Sequence, residues 1–233
     1  MSVYISPPFS NYIRYKNCIR IRGTYTWERR KGLIYNTVRS LRKVPGGWRN
    51  QIGFRNPGVV NIKHKCDKNS IYSIAAIDSN WEPFLNAPVL SKIELGLGCP
   101  NVGSYSITDE DVKKFVNRFT FLQVKLSPTV EVDYISRLYD LGIRIFHLSN
   151  TIPTEKGGIS GKQLKDINLP LIEKVANLDL KGTAIIAGGG IYSPQDVRDY
   201  RNVGVTSYSL ATIWFTPWKV PAVYREAQMS NNG

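Results

Sequence analysis

Short apolar runs alternate with helical patterns along the chain. Val3–Ser6, Cys18–Tyr25, Ile71–Ile77, Lys92–Leu97, Phe121–Leu126, Arg144–Leu148, Thr183–Ala187 and Ser207–Leu210 read as eight candidate strands. Several are apolar on both faces, the pattern of parallel strands covered by helices. The segments between them carry helical signals. Thr108–Phe119 opens with a Thr cap and has Asp111 three residues on. It then places Val112, Phe115, Val116 and Phe119 on one stripe. Val132–Leu141 puts Ile135, Leu138 and Tyr139 on one face. Lys162–Leu178 is apolar at Leu164, Ile167, Leu171, Ile172 and Val175, with a break or kink expected at Pro170. Ser193–Val203 has a Ser cap, Pro194 in the first helical position, Asp196 in the third and Gly204 as its stop.

This alternation predicts a single-domain (β/α)8 barrel over residues 1–233, with a doubly wound open sheet as the competing architecture. About a dozen residues separate the first two strands, near the minimum for a crossover, so the first helix is expected to be reduced. No linker or low-complexity segment divides the chain.

Composition narrows the classes. Ordinary apolar content argues against a disordered or collagen-like chain. No segment reads as a signal peptide or a membrane span, so no membrane partner and a cytoplasmic location are expected. Three widely spaced cysteines, Cys18, Cys66 and Cys99, suggest neither a disulfide framework nor a zinc site. Lys and Arg number 31 against 18 Asp and Glu, a net +13 that attracts anionic partners. The basic residues are scattered and lack the aromatic interleaving of single-strand binders, so nucleic acid is not expected.

Candidate chemistry gathers just after the strands, which in a barrel all open onto one face. Ala187-Gly188-Gly189-Gly190-Ile191 and Ser209-Leu210-Ala211-Thr212 end the last two strands, where barrels commonly hold phosphate. A tight turn that needs positive φ is the competing reading of the glycines. Lys125 ends the fifth strand in VKLSP; it faces either an anion in the barrel mouth or solvent, and strand parity alone does not decide. Cys99, in IELGLGCPN after the fourth strand, is placed to act as base or nucleophile, against the commoner fate of a small buried side chain. Asn50, Asn56, Asn101 and Asn150 recur near strand ends; converging on one pocket they would suit a planar amide or imide, whereas singly they are turn residues. His147, inside an apolar strand, reads as a core histidine, and His64 as surface. Lys156–Gly161, KGGISG, reads as a Gly-rich loop able to fold over a ligand; it lacks the Walker A spacing, and no GxGxxG is present.

Taken in order, GTYT, NQIGFRNPG, IELGLGCPN, VKLSP, HLSNT, GGISG, IAGGGI with SPQD, and SLAT resemble the dihydroorotate dehydrogenases over most of the chain. The resemblance implies an FMN-dependent barrel flavoenzyme of pyrimidine (UMP) biosynthesis that oxidises dihydroorotate to orotate. It implies that Lys125 meets the flavin ring edge, and that Gly158, Gly189, Gly190, Ala211 and Thr212 hold the phosphate and ribityl chain. It assigns the pyrimidine to Asn50, Gly53, Phe54, Asn101, Asn150 and Thr151. Cys99 matches the base of the soluble, cysteine-using class, taking a proton from C5 while a hydride leaves C6 for the flavin. A soluble electron acceptor and a homodimer accompany that class. Two departures stand out: Gly96 replaces the Asn of the family's ELN-x-SCPN, and Gly23 stands where the soluble class has a Lys. They motivate two rival readings, a flavoenzyme for another dihydropyrimidine or enone, and a non-catalytic basic barrel that serves as a scaffold.

Overall fold

The computed structural model describes residues 1–64, 67–97 and 106–229. In chain order the strands are β1 (Ser2–Ile5), β2 (Cys18–Tyr25), β3 (Arg42–Val44), β4 (Gly47–Asn50), β5 (Ser70–Ile74), β6 (Lys92–Gly96), β7 (Phe121–Leu126), β8 (Ile145–Leu148), β9 (Ile152–Thr154), β10 (Gly157–Gly161), β11 (Ala184–Gly188) and β12 (Ser207–Leu210). The helices are α1 (Leu33–Ser40), α2 (Glu82–Leu85), α3 (Asp109–Arg118), α4 (Val132–Asp140), α5 (Leu164–Ala176), α6 (Pro194–Asn202) and α7 (Val220–Gln228).

Eight strands close a parallel barrel in the order β1-β12-β11-β8-β7-β6-β5-β2. They are the eight read from the hydrophobic pattern, shifted by at most a residue at their ends, except that the strand expected over Ile71–Ile77 stops three residues earlier, at Ile74. The expected reduction of the first crossover is present: β1 and β2 are joined through a 3-10 turn at Phe9–Asn11. The alternation along each strand separates two cores. Inward, Tyr4, Ile21, Ile71 and Ile186 pack with Ile19, Phe121 and Ile145. Outward, Ile93, Leu95, Val124, Leu126, Phe146 and Leu148 meet Val112 and Phe115 of α3, Ile135 and Leu138 of α4, and Ile172 of α5. Each such side chain contributes about 1.5–3 kcal/mol on burial.

The helix ends follow their capping residues. The Thr108 hydroxyl accepts from the Asp111 amide at 3.1 Å. Ser193 and Asp196 form a reciprocal capping box at the start of α6. Pro170 does not break α5, which runs through it. Leu171, Ile172 and Val175 are buried around it, and this packing offsets the single backbone bond that proline forfeits. The hydrophobic pattern did not yield α1, α2 or α7. α7 buries Val220, Val223, Tyr224 and Ala227, and Glu226 on it pairs with Arg198 and Arg201 of α6. α1 has no buried residue and leaves Ile34, Tyr35 and Val38 exposed.

The segment expected as a Gly-rich loop, Lys156–Gly161, is instead mostly strand. Its residues 157–161 form β10, one of four strands in a small antiparallel sheet of order β3-β4-β10-β9. Glycines are poor strand formers, which hid the strand from the pattern. The partner ladder from β4 supplies the pairing, with Gly158 opposite Asn50 and Gly161 opposite Gly47. A Cβ at Gly47 would lie 1.9 Å from the Ser160 carbonyl oxygen, so this close approach requires glycine. The ladder brings Asn50 over the carboxyl ends of the barrel strands.

Candidate active site

A cavity of about 460 Å³ opens at the carboxyl ends of the barrel strands. That volume lies in the ordinary range for a small-molecule site. Its floor and sides come from Lys125 of β7, Ser149, Asn150 and Thr151 after β8, Gly189 and Gly190 after β11, and Ser209, Ala211 and Thr212 at the end of β12. Trp48 and Asn50 of β4, Ser160 of β10, and Ile34 and Val38 of α1 line it from the small-sheet side.

Eight of the residues assigned from the sequence therefore line one cavity: Lys125, Gly189, Gly190, Ala211, Thr212, Asn50, Asn150 and Thr151. Three do not line it. Gly158 is buried in β10 opposite Asn50, so it supports the strand that carries Asn50. Gly53 and Phe54 form a tight turn, both at positive φ, and the Gly53 carbonyl accepts from Arg30 Nε at 3.3 Å. Cys99 and Asn101 lie outside the described residues, as does Cys66. Asn56 is a turn residue. Its Oδ1 accepts from the Gly58 and Thr26 amides, and its Nδ2 donates to the Phe54 carbonyl and the Thr26 hydroxyl.

The glycines after β11 combine both readings open at the sequence level. Gly189 and Gly190 have φ of +85° and +74°. A Cβ on Gly189 would sit 2.7 Å from Asn168 Nδ2, and one on Gly190 would sit 2.6 Å from Lys165 Cβ. The loop thus needs glycine to lie against the first turns of α5, and it presents bare backbone to the cavity. Thr212 begins a short 3-10 helix that runs to Phe215. Loops after the last two strands, joined by a short extra helix, are the usual phosphate cradle of a barrel.

The two departures differ physically. Gly23 has φ +112°, and a Cβ there would come within 2.6 Å of the Ser73 carbonyl oxygen. The backbone is built around glycine at that point, so the Lys of the soluble class has no counterpart on this backbone. At Gly96 a Cβ would lie 3.3 Å from the Ile74 carbonyl oxygen, so a small shift would admit a side chain.

Beneath the cavity the barrel interior holds a polar group of which the sequence reading found only His147, as a core histidine. Glu94, Gln123 and His147, on the neighbouring strands β6, β7 and β8, are fully buried. Glu94 Oε2 accepts from Gln123 Nε2 at 2.6 Å and meets His147 Nδ1 at 2.7 Å. Burial by itself would push the Glu94 carboxyl up. The His147 ring and its hydrogen bond, the Lys125 ammonium and the Gln123 amide together hold it below the ordinary carboxylate range. Burial pushes the His147 imidazole down, with Lys125 adding to that direction and Glu94 opposing it. The resulting state is an ionised Glu94 and a neutral His147 whose Nδ1–H donates. Register explains the grouping: Glu94 faces Gln123, and Lys125 faces both Gly96 and His147. In the sequence the group shows as Glu94 in IELGLG, Gln123 in FLQVKL and His147 in IFHL, each a polar residue within an apolar strand. Among the cysteines described, Cys18 is buried, which pushes its thiol up to about 12 and leaves it inert.

The dihydroorotate dehydrogenase family profile matches residues 15–228. The chain belongs to the dihydroorotate dehydrogenase family. The chemistry of the family is oxidation of a CH–CH bond, and its cofactor is FMN. Relatives named dihydroorotate dehydrogenase B (NAD(+)), catalytic subunit, occur in Staphylococcus carnosus and Geobacillus sp. The first is 28% identical over 217 residues, covering 77% of this chain and 70% of the relative. The second is 26% identical over 231 residues, covering 82% and 72%. The same barrel is seen in a ligand-free DHODH of Eimeria tenella, with TM-score 0.73 at 16% identity over 96% of this chain and 82% of that one. The ferulenol complex of that organism's DHODH gives TM-score 0.69 at 15% identity, covering 89% and 73%. Among the described residues, no helix is long and apolar enough to cross a membrane.

Proposed function

We propose that this cavity binds FMN and dihydroorotate together, and that the chain oxidises dihydroorotate to orotate in pyrimidine biosynthesis. The observation that carries the reading is the convergence of a cation, a glycine cradle and two amides on one cavity. The residues fit FMN. Gly189, Gly190, Ala211 and Thr212 offer backbone at the wall where barrels hold phosphate. Lys125 supplies a positive charge on the floor. When bound, FMN supplies the acceptor for the hydride that leaves C6 of the substrate. The net +13 charge favours arrival of an anionic cofactor and an anionic substrate.

Asn50, Asn150 and Thr151 take the substrate side. Each amide presents a donor and an acceptor on one planar end, matching the imide edge of a pyrimidine. Asn150 Oδ1 already accepts from the Thr151 amide at 2.9 Å, which fixes that side chain's orientation. Cys99 takes the proton from C5 as general base. A soluble electron acceptor and a cytoplasmic location complete the reading.

The test is the visible spectrum of the purified protein before and after anaerobic dihydroorotate. Flavin bands that bleach are the expected result. Bands that persist transfer the site to another dihydropyrimidine or an enone, a reading favoured by Gly23, whose backbone leaves no room for the Lys of the soluble class. A colourless protein that refuses added FMN overturns the proposal.

A further inference from the structure

We infer that Glu94, fixed by His147 and Gln123 inside the barrel, is a positioning residue: the counter-charge one layer beneath Lys125 that offsets its field and so sets the reduction potential of the flavin. The inference rests on the reading that Lys125 meets FMN.

The geometry comes first. Glu94 and Gln123 are partners in register, His147 stands in register with Lys125 and reaches down to Glu94 through Nδ1, and all three are completely buried. The rest of the inward core, Ile21, Ile71, Ile145 and Ile186, shows what fills a barrel when only packing matters. A carboxylate in that setting is costly unless its oxygens find donors or a cation. Oε2 of Glu94 has two donors. Among the described residues Oε1 has no hydrogen-bond partner, and neither has Nε2 of His147 or the carbonyl oxygen of Gln123. The group is therefore not a closed network that satisfies itself.

The charge left over needs a partner, and one is adjacent. Lys125 follows Gln123 by two residues on the same strand, and so on the same face. It pairs in register with Gly96 and His147, one layer above Glu94 towards the cavity. The ionisable groups that act on Glu94 from neighbouring elements are His147, Lys125 and Tyr4. His147 is neutral and the Tyr4 hydroxyl is held protonated, its titration pushed up by burial and by Glu94 itself. Lys125 is thus the one cation among them, and it is also the cation that lines the cavity. Glu94 has an ionic contact with His147 and none with Lys125 among the described residues, so its charge acts on the ammonium across one layer of the barrel and not by contact. Glu94 offsets part of the Lys125 field at the cavity floor. The site then has a defined, moderated positive charge rather than a full one.

The test measures the midpoint potential of FMN bound to the full chain. Glu94→Gln keeps the shape and an acceptor for His147 and Gln123 but removes the negative charge. It should move the potential in the positive direction, by the equivalent of at least a tenfold change in the reduction equilibrium, or about 30 mV for two electrons. Glu94→Asp keeps the charge and should restore a potential close to that of the unaltered protein. Lys125→Met should move the potential in the negative direction, and in that background Glu94→Gln should add a smaller shift than it does alone. A Glu94→Gln protein with unchanged potential and flavin spectrum overturns the inference and leaves the polar group a structural filler. If Lys125→Met leaves the potential unchanged, it is the contact between Lys125 and FMN that fails. Should Glu94→Gln not fold, histidine NMR on Lys125→Met decides. The His147 titration should move upward when the ammonium is removed, and an unmoved titration overturns the coupling.

Discussion

Replacing Gly190 with alanine separates the two demands on the loop after β11. The residue has φ +74°, a region in which a side chain costs about 1–2 kcal/mol. The added Cβ would also come within 2.6 Å of Lys165 Cβ and 2.7 Å of the Lys162 carbonyl oxygen. Both neighbours are fixed at the start of α5, so either the loop or the helix must give, at about 1–3 kcal/mol for overpacking. The sum is about 2–5 kcal/mol, or about 5–15 °C in Tm for a chain of this length. Gly204 is the matched control: φ is +88° and nothing lies within 4 Å of its Cβ position. Gly204→Ala should cost only the backbone share, about 1–2 kcal/mol. Calorimetry compares the two, and quenching of flavin fluorescence gives the FMN Kd. Gly190→Ala should weaken FMN at least tenfold, about 1.4 kcal/mol, whereas Gly204→Ala should leave it unchanged. Equal losses of Tm in both variants would refute the contact argument. FMN binding unaffected by Gly190→Ala would remove the loop from the cofactor site.

Three further outcomes are expected. Asn150→Ala should raise KM for dihydroorotate about 5- to 150-fold, from about 1–3 kcal/mol of lost hydrogen bonding, with FMN Kd unchanged; a KM that does not move takes Asn150 out of the substrate site. Cys99→Ser should lower kcat by about two orders of magnitude or more while the flavin spectrum is retained, and a fully active variant refutes its role as base. Asp196 sits in the α6 capping box and pairs with Lys165, whose ammonium also meets Asp199. Burial pushes its carboxyl up, but the bonds from Lys165, the Tyr192 amide and Ser193 hold it below the ordinary value. A depressed carboxyl stabilises the fold above its unfolded value, about 3.9, and this contribution disappears as pH falls through the folded value. Asp196→Asn should therefore lower Tm at pH 7 and converge with the unaltered protein near pH 2, and equal loss at both pH values contradicts the linkage.

The barrel was legible because its strands are apolar on both faces and its helices carry explicit caps. Thr108 with Asp111 and Ser193 with Asp196 mark two helix starts within a residue. What escaped has a common physical cause. β10 is glycine-rich, and α1, although amphipathic, turns Ile34 and Val38 to the cavity, so neither belongs to the barrel core that the hydrophobic pattern traces. The cavity-lining candidates were legible where they end barrel strands. Lys125, Asn150, Gly190 and Thr212 all reach the cavity because strand ends share one face. Gly53, Phe54 and Gly158 follow the family motifs but belong to turns and to the second sheet, whose position depends on pairing over long sequence separation. Glu94 was passed over because a single acid within one apolar strand says little by itself; its register with Gln123 and its contact with His147 give it meaning.

The pairing of β1 with β12 has a further consequence for how the molecule comes to exist. Tyr4 lies beside Ser209, and Ser6 bonds to the Ser209 hydroxyl at 2.6 Å. The central run β5-β6-β7-β8 joins strands that are neighbours in sequence as well as in the barrel. That run closes short loops, whereas the seam between β1 and β12 closes nearly the whole chain and adds its loop entropy to the folding barrier. Ser209, Ala211 and Thr212 stand on that seam, so the wall assigned to phosphate is complete only when the barrel has closed. On the proposed reading, flavin colour reports a closed seam, and FMN in excess of its Kd draws the closed form out of any open intermediate by mass action.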